Sequence, residues 1–352
     1  MSQIHQLRER LRAAGAKPSH ERRVLRLWVQ ALPQDSGRRV LDDFMPRQLR
    51  DALPQITAEF DGIARIASQH PGEDGSMRLL VQLADGQTCE SVLLPRDGLC
   101  ISSQIGCAVG CKFCMTGRDG LLRQMGSAEI VAQVALARTL RPVKKVVFMG
   151  MGEPAHNLAN VMDAIDFLGT AGNIGHKNLV FSTVGDERVF ERLPQGPVKP
   201  ALALSLHSTR ADVRADLLPR APRISPDDLV EAGHQYARAS GYPMQVQWTL
   251  LDGVNDTAEE VEGLVRLLKG RYAVLNMIPY NSVPDLPYRR PAWDKAAALA
   301  RELHRKGVLT KLRQSAGQDV DAGCGQLRAR SLPTTSVVRV IPGSRDPGVQ
   351  AR

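Results

Sequence analysis

Hydrophobic and polar positions alternate in blocks along most of this chain. From about residue 98 onward, short continuous apolar runs with the length of buried β-strands occur at residues 99–103, 145–149, 179–182, 201–206, 245–250 and 273–278. The stretches between them have the period of amphipathic helices, around residues 127–140, 157–168, 186–193, 226–239 and 257–269, with another near 292–306. The pattern therefore predicts six successive strand–helix units.

Six such units predict an α/β fold in which a parallel sheet curves into a partial, TIM-like barrel with helices on its outside. Residues 309–314 add a seventh predicted strand. In barrels of this kind, catalytic residues lie in the loops that follow the C-terminal ends of the strands. Residues directly after each predicted strand are therefore the first candidates for a functional site.

Residues 1–97 follow a different pattern. The first fifty predict basic helices, because an apolar cluster between Val24 and Val29 has helical spacing and precedes Pro33. Residues 62–66, 77–83 and 88–94 predict short strands, the last two joined by a turn at Asp85-Gly86. We therefore predict three parts: an N-terminal accessory domain of helices and a small sheet (1–97), a barrel (98–330) and a loosely ordered tail (331–352).

Composition is consistent with this organisation and indicates a compartment. At 352 residues and 43% hydrophobic, the chain can bury a barrel core and a smaller appended domain. We expect a cytoplasmic protein with no membrane partner, because no apolar run is long enough to span a bilayer and the first residues lack the apolar segment of a signal peptide. In a reducing cytosol, the six cysteines favour cofactor and redox chemistry over a disulfide scaffold.

Charge is unevenly distributed. The net charge is +9, and residues 1–50 hold eleven Lys or Arg against five Asp or Glu. A single basic run is usually a solvated helix face, but clustering of this kind also suits a surface that neutralises phosphates. The further basic pairs Lys144-Lys145, Arg289-Arg290 and Arg305-Lys306 shift the balance toward a nucleic-acid partner. An aromatic content of 4% provides no evident stacking platform for single strands.

Three cysteines, Cys107, Cys111 and Cys114, follow the first barrel strand with C-x3-C-x2-C spacing. This triad can ligate three irons of a 4Fe–4S cubane and leave the fourth iron open, a position that S-adenosylmethionine can occupy through its amino and carboxylate groups. The alternatives are a zinc site or three unrelated thiols. Zinc sites usually combine two closely spaced ligand pairs, and no second pair follows, so the spacing favours the cluster.

The motifs resemble a known family. The cysteine triad, with Phe113 before its last member, and Gly150-Met-Gly-Glu-Pro154 are similar to the radical S-adenosylmethionine (radical SAM) superfamily, whose core is a partial (β/α)6 barrel. A narrower resemblance, to the RlmN/Cfr family of RNA methyltransferases, rests on five blocks between about residues 90 and 327: Cys100–Cys107, Gly150–Pro154, Ser205-Leu-His207, Ile278–Asn281 and Gly323–Leu327. The first ninety residues match this family only loosely.

The resemblance implies a set of cofactor contacts. Gly152 and Glu153 follow the second barrel strand, where a carboxylate can accept from the cofactor ammonium and glycine permits close backbone approach. The remaining contacts that it implies lie at later strand ends: Ser182, Ser205, Leu206, His207 and Asn281. Their alternative is ordinary loop capping, and for an isolated His207 that alternative would be favoured.

Catalytic roles also follow from the resemblance. Cys324 is similar to the cysteine that carries the methyl group, Cys100 to the cysteine that resolves the covalent RNA adduct through a transient disulfide, and Glu90 to the general base. Without the resemblance, the two cysteines would be interpreted as structural thiols and Glu90 as an ordinary strand residue. Cys89 has no assigned role, and we expect it to be structural.

The implied activity is methylation of an adenine ring carbon, C2 in preference to C8, in structured RNA, with 23S ribosomal RNA as the first target and transfer RNA as the second. It implies an electron donor such as a flavodoxin-type reductase system, and we expect a monomer. Two alternatives stay open: a radical SAM enzyme of another reaction type, and a non-enzymatic iron–sulfur RNA-binding sensor. A sensor has no need of Glu153, Ser205-Leu-His207 or a second cysteine pair.

Overall fold

The structure, a computed structural model, describes residues 2–37, 44–283, 285–327 and 329. Its strands are β1 (Ala64–Pro71), β2 (Met77–Leu83), β3 (Thr88–Leu94), β4 (Gly98–Cys100), β5 (Gln104–Gly106), β6 (Leu121–Gln124), β7 (Lys145–Phe148), β8 (Leu179–Thr183), β9 (Ala201–Ser205), β10 (Met244–Leu250), β11 (Ala273–Pro279) and β12 (Thr310–Leu312). Its helices are α1 (Gln3–Ala13), α2 (Pro18–Val29), α3 (Arg47–Asp61), α4 (Ser127–Leu140), α5 (Leu158–Thr170), α6 (Glu187–Arg192), α7 (Ala211–Leu217), α8 (Pro226–Ser240), α9 (Ala258–Leu268) and α10 (Trp293–Arg305).

Seven strands form the parallel part of the main sheet. Their order is β4-β7-β8-β9-β10-β11-β12, and every neighbouring pair is parallel. Strand β8 is buried along its whole length and β9 up to its last residue, because helices cover the outer face of the sheet. The six predicted strands and the seventh at 309–314 are confirmed, and the loops that carry the candidate residues open at one end of the sheet.

The N-terminal strands continue this sheet. Strands β1, β2 and β3 pair antiparallel with one another, and β3 pairs antiparallel with β4, so that Val92 lies opposite Cys100. The predicted small linking sheet is therefore an extension of the barrel sheet, within one ten-stranded sheet of the described residues. This continuity matters for the site, because it places side chains of β3 beside those of β4.

The N-terminal helices dock on α4. This helix is buried on nearly all sides, as expected for a helix without a polar face. Ile4 N donates to Ser127 Oγ at 3.2 Å, and Arg138 Nη1 donates to the Val29 carbonyl at 2.9 Å. The Trp28 ring packs against that of Phe167 on α5, with centroids 6.1 Å apart. Helices α1 and α2 are thus attached to the barrel through its own outer helices.

The structure differs from the sequence-based expectations in several places. Strand β4 ends at Cys100 rather than at residue 103, because the Ser102 backbone bonds to the Gln133 side chain of α4. Helix α3, which contains Pro54, helix α7 and the β5–β6 pair were not predicted. The predicted tail at 331–352 lies outside the described residues. Among the described residues, the structure has no helix that is both long and apolar enough to cross a membrane.

Candidate active site

The cysteine triad lies in a loop carried by two short strands. Strands β5 and β6 pair antiparallel and hold residues 107–120 between them. Cys107 N donates to the Gly120 carbonyl at 2.9 Å. Gly106 has a φ of +76°, and a Cβ there would lie 2.1 Å from Gly120 O, so no other residue fits at this position without a shift. The tight closure of the loop brings the Cys111 thiol close enough to the other two for their charges to interact.

The three thiols share their surroundings. Burial, opposed by backbone N–H groups, raises the pKa of Cys107 to about 12, and burial also raises those of Cys111 and Cys114. Cys111 interacts electrostatically with Cys114, Cys107 and then Glu153, and Cys107 also interacts with Glu153. Bound iron would deprotonate the three thiols, because a metal ion stabilises the thiolate form of a coordinating cysteine.

This donor set fits a cubane cluster. Three soft thiol ligands lie in a largely apolar shell that includes Val109, Phe113 and Met115. Across the part of the chain that the structure describes, no three His, Cys, Asp or Glu side chains converge as the ligands of one metal ion do. A cubane binds each cysteine to a different iron, so its ligands stand farther apart than those of a single ion.

The segment that follows β7 lies against the entry to this loop. Met151 N donates to Ser102 Oγ at 2.8 Å, and Glu153 N donates to Gln104 Oε1 at 2.7 Å. Gly152 has a φ of +102°, and a Cβ there would lie 2.6 Å from the Gln104 side chain. The glycine predicted from the sequence is therefore required by packing against Gln104, and it holds Glu153 at the mouth of the barrel.

Glu153 is buried and accepts two backbone hydrogen bonds. Its Oε1 accepts from Ala155 N and its Oε2 from Val184 N, both at 3.0 Å. Burial, opposed by these hydrogen bonds, raises the pKa of Glu153 to about 7. Each carboxylate oxygen retains a second lone pair, so the group can also accept from an ammonium. A cation bound there would favour the ionised form.

Ser182, Ser205, Leu206 and His207 lie near the ends of β8 and β9. Ser182 pairs with Ala203 and Ser205 with Gln247, so the two serines point to the same face of the sheet. Leu206 is fully buried. The structure thus places these predicted contacts on two adjacent strands.

His207 has an unusual environment. Its φ of +62° is rare for a non-glycine residue, and its Nδ1 accepts from Thr249 N at 3.0 Å. Burial, and then Arg214, lowers its pKa to about 3. The ring is therefore neutral, with its proton on Nε2. The Phe113 ring contacts it edge-on at a centroid distance of 4.9 Å, which ties His207 to the cysteine loop.

Asn281 holds the C-terminal loop in place. Its Nδ2 donates to Ser315 Oγ at 2.8 Å and to the Cys324 carbonyl at 3.0 Å. Its buried Oδ1 has no hydrogen-bond partner among the described residues, and it remains available to a donor. The sequence predicted Asn281 as a cofactor contact, and the structure adds a contact with the backbone of Cys324.

The same loop crosses the cysteine triad. Met115 N donates to the Gly325 carbonyl at 2.8 Å, and Thr116 Oγ1 donates to the Leu327 carbonyl at 2.6 Å. Although residue Cys324 is exposed as a whole, its sulfur is close enough to Cys114 for their charges to interact. Burial of the sulfur, and then Cys114, raises the pKa of Cys324 to about 11.

Cys100 faces Cys324 from the sheet. It is buried at the end of β4, and burial, followed by the charge of Cys324, raises its pKa to about 12. Both cysteines are free thiols. The structure thus brings together two residues that are far apart in the sequence, next to one member of the triad.

Glu90 completes this group. It lies two residues before Val92, which pairs with Cys100, so Glu90 and Cys100 share one face of the sheet. Glu90 forms a buried ion pair with Arg78, and its Oε2 accepts from Ala329 N at 2.9 Å. Burial raises the pKa of Glu90, while Ala329 N–H and Arg78 lower it. Cys89 points to the opposite face, and its charge interacts with Glu129 of α4 more strongly than with its chain neighbour Glu90.

Two buried arginines near these residues were not singled out from the sequence: Arg78, the partner of Glu90, and Arg214 on α7. The available signal for Arg78 was a lone charge inside the apolar run of β2. Arg214 had no comparable signal, because it lies in a short helix that mixes charged and small apolar residues.

Comparisons with known proteins agree with this geometry. Residues 101–268 match the radical SAM superfamily. A probable RNA methyltransferase of Leptothrix cholodnii is 74% identical over 96% of this chain and 97% of the relative, and another of Azoarcus sp. is 72% identical over 93% and 94%. A solved radical SAM methyltransferase from Sphaerobacter thermophilus is 33% identical, with a TM-score of 0.81 over 93% of this chain and 98% of that one.

Proposed function

The chain belongs to the radical SAM superfamily, within the RlmN/Cfr family of RNA methyltransferases, and on that premise we propose that it methylates an adenine ring carbon in structured RNA. The ring carbon is C2 in preference to C8. The first candidate substrate is 23S ribosomal RNA and the second is transfer RNA. The target base has to be unstacked before its edge can enter the mouth of the barrel.

One observation carries this proposal: the exposed Cys324 is within electrostatic range of both Cys100 and Cys114. A radical enzyme of another reaction type would need the triad and Glu153, but it would have no use for a free thiol pair beside them. The pair suits a reaction in which one sulfur carries a carbon and another displaces it.

The cofactors fit the residues described. Cys107, Cys111 and Cys114 would hold the 4Fe–4S cluster, and S-adenosylmethionine would contact Glu153, Gly152 and the strand-end residues Ser182, Ser205, Leu206, His207 and Asn281. When bound, the two cofactors supply the methyl group and the radical chemistry that activates it. This division leaves nucleophilic and proton-transfer steps to the protein itself.

Those steps use three side chains. The Cys324 thiolate accepts the methyl group as a thioether, and this carbon then becomes bonded to the RNA base. Glu90, as carboxylate, removes the proton from the substituted ring carbon. The Cys100 thiolate attacks the Cys324 sulfur, and the bond between that sulfur and the transferred carbon breaks as a disulfide forms. The carbon keeps the bonding electron pair, which is delocalised into the base, and takes up a proton to become the methyl group. A dithiol reductant then regenerates both thiols, and a flavodoxin-type system would supply electrons to the cluster.

Removing each cysteine separately tests this division of roles. We expect Cys324→Ala to retain the cluster but to acquire no methyl group and to form no covalent RNA complex. We expect Cys100→Ala to be methylated on Cys324, to attack RNA, and to stall as a complex that resists denaturant and is released by nuclease. Mass spectrometry of the protein and denaturing gels with labelled RNA measure both outcomes.

The matched control is Cys89→Ala, which removes a buried cysteine from the opposite face of β3. It should turn over without accumulating a complex. Normal turnover by Cys100→Ala, or cross-linking of Cys324→Ala to RNA, would contradict the assigned roles. Mapping of modified adenosines in RNA from a deletion strain would identify the base and the carbon.

A further inference from the structure

Arg214 is a buried cation beside the cysteine triad. It lies on α7 with 4% of its surface exposed. The end of α7 is bonded directly to the triad loop, because Lys112 N donates to the Leu217 carbonyl at 3.0 Å. The following turn adds a bond from Arg220 Nη1 to the Ala108 carbonyl at 3.2 Å. The position of Arg214 relative to the three thiols is therefore set by the backbone.

The guanidinium has one neutral hydrogen-bond acceptor, and it lies near the Glu153 carboxylate and the Cys111 thiol, which becomes negative when it holds iron. Its Nη2 donates to the Val184 carbonyl, and Val184 N in turn donates to Glu153 Oε2 at 3.0 Å. Its charge interacts with Cys111 first and with Glu153 second. Among the described residues, it forms no ion pair with a carboxylate, and its buried Nε has no acceptor.

A cation in this position is costly unless an anion compensates it. Glu153 is the carboxylate that we propose for the cofactor ammonium, so its charge has a second cation to balance. A cubane held by three thiolates carries negative charge, and that charge increases when the cluster takes up an electron. A buried positive charge stabilises the reduced state more than the oxidised state, so local charge sets the potential of such clusters.

We propose that Arg214 is the buried counter-charge of the cluster and that it raises the cluster's reduction potential. The inference rests on the proposed cluster site, but it requires neither RNA nor the cysteine pair. Arg214 acts on the cluster through its positive charge, and it donates no proton in the reaction. It would make the electron transfer that begins each turnover more favourable.

Three substitutions separate charge from packing. Arg214→Lys keeps a positive charge, Arg214→Gln keeps a donor for the Val184 carbonyl without charge, and Arg214→Met keeps only bulk. The readout is the reduction potential of the anaerobically reconstituted protein, from a redox titration followed by electron paramagnetic resonance without RNA. Iron content and thermal unfolding are measured on the same samples.

We expect Arg214→Gln and Arg214→Met to have lower reduction potentials than the wild-type protein. A smaller fraction of the cluster should therefore be reduced at the same solution potential. The reduction potential of Arg214→Lys should be close to that of the wild-type protein. The matched control is Arg238→Gln, which removes an exposed arginine from α8 and should leave the potential unchanged because water screens its charge.

An unchanged potential in Arg214→Gln with full iron content would overturn the inference, and so would failure of both Arg214→Gln and Arg214→Lys to incorporate iron, because Arg214 would then serve packing alone. Failure of the cluster hypothesis has a different signature, since the unchanged protein itself would bind no iron. Failure of the RNA methylation hypothesis would leave these potentials as they are.

Discussion

Arginine occurs in two contrasting settings in this protein. At the mouth of the barrel, Arg78 and Arg214 are buried, and each lies beside one defined group, Glu90 or the triad. On the N-terminal helices, Arg8, Arg22 and Arg26 are exposed, and within the described residues none of them forms an ion pair. A charge at the mouth acts in a low dielectric on one partner, whereas a charge on the helices acts through water and salt.

The exposed arginines surround a groove. A cavity of about 650 Å³ lies between α1, α2 and the end of α5. It is lined by Arg8, Arg12, Pro18, Ser19, Glu21, Arg22, Arg23, Leu25, Arg26, Phe44, Phe167, Thr170 and Ala171. Arg23 bonds to the Gln34 and Ser36 carbonyls, so its role includes local structure. Single substitutions should therefore act strongly at the mouth, whereas only combined substitutions should act strongly in the groove.

The largest effect is expected at the triad. Cys111→Ala should reduce the iron content from about four atoms per chain to a small residual amount, and it should abolish cofactor cleavage, because two thiolates cannot hold the cubane. Iron analysis, visible absorbance and detection of deoxyadenosine measure this. Cys89→Ala serves as the control and should load normally. Full iron content in Cys111→Ala would show that the triad is not the ligand set.

The next effect concerns the rigidity of the triad loop. Gly106→Ala should destabilise the protein by at least ~3 kcal/mol, because its Cβ would lie 2.1 Å from Gly120 O. Gly120→Ala is the matched control, since Gly120 has a φ of +75° but open space around its Cβ position, and it should cost about 1 kcal/mol. Denaturant unfolding measures both. Equal losses in the free energy of unfolding would mean that the cost of each substitution comes from the backbone conformation alone and not from the close contact at Gly106.

Arg78 tests the influence of one buried charge on catalysis. Glu90 must be ionised to accept a proton, so turnover should rise with pH through its pKa. Burial raises that pKa, and Ala329 N–H and Arg78 lower it. Arg78→Met should therefore move the acid limb to higher pH, with RNA-bound protein accumulating at low pH.

Other groups also face this carboxylate, namely Asp321 from the C-terminal loop and Cys100 from β4, while His70 of β1 faces Arg78. None of them changes in the comparison. Arg78→Lys should restore most of the profile, and RNA-free methylation of Cys324 should stay intact in both variants. An acid limb that stays in place in Arg78→Met would refute a link between Arg78 and the base.

The smallest effect of a single substitution is expected in the groove, where each arginine contributes only part of the affinity for RNA. Changing Arg8, Arg22 and Arg26 together to Gln should weaken RNA binding about tenfold at low salt and reduce the salt slope by about 2 to 3, because each lost phosphate contact releases fewer counterions. Single changes should be several-fold weaker in effect. Binding titrations at several salt concentrations measure this, with exposed Arg238→Gln on α8 as control. An unchanged slope would identify the groove as a merely solvated surface.

Local sequence patterns were sufficient to predict the order of strands and helices in the barrel and the position of the cluster loop. Apolar runs and helical periods are local signals, and they predicted the seven parallel strands to within a few residues. Cys107, Cys111 and Cys114 are so close along the chain that any tight loop brings them together. Glycines such as Gly152 follow from the same motif.

The contacts between residues that are distant in the sequence could not be predicted in this way, because they depend on the folded chain. Cys100, Cys324 and Glu90 converge because β3 joins the barrel sheet and because Asn281, Met115 and Thr116 bond the C-terminal loop over the triad. The sequence resemblance implied their roles, but their proximity depends on these long-range contacts. Arg78 and Arg214 show the same limit, since a charged residue becomes an influential one only when folding buries it beside a particular partner, and burial has no local sequence signal.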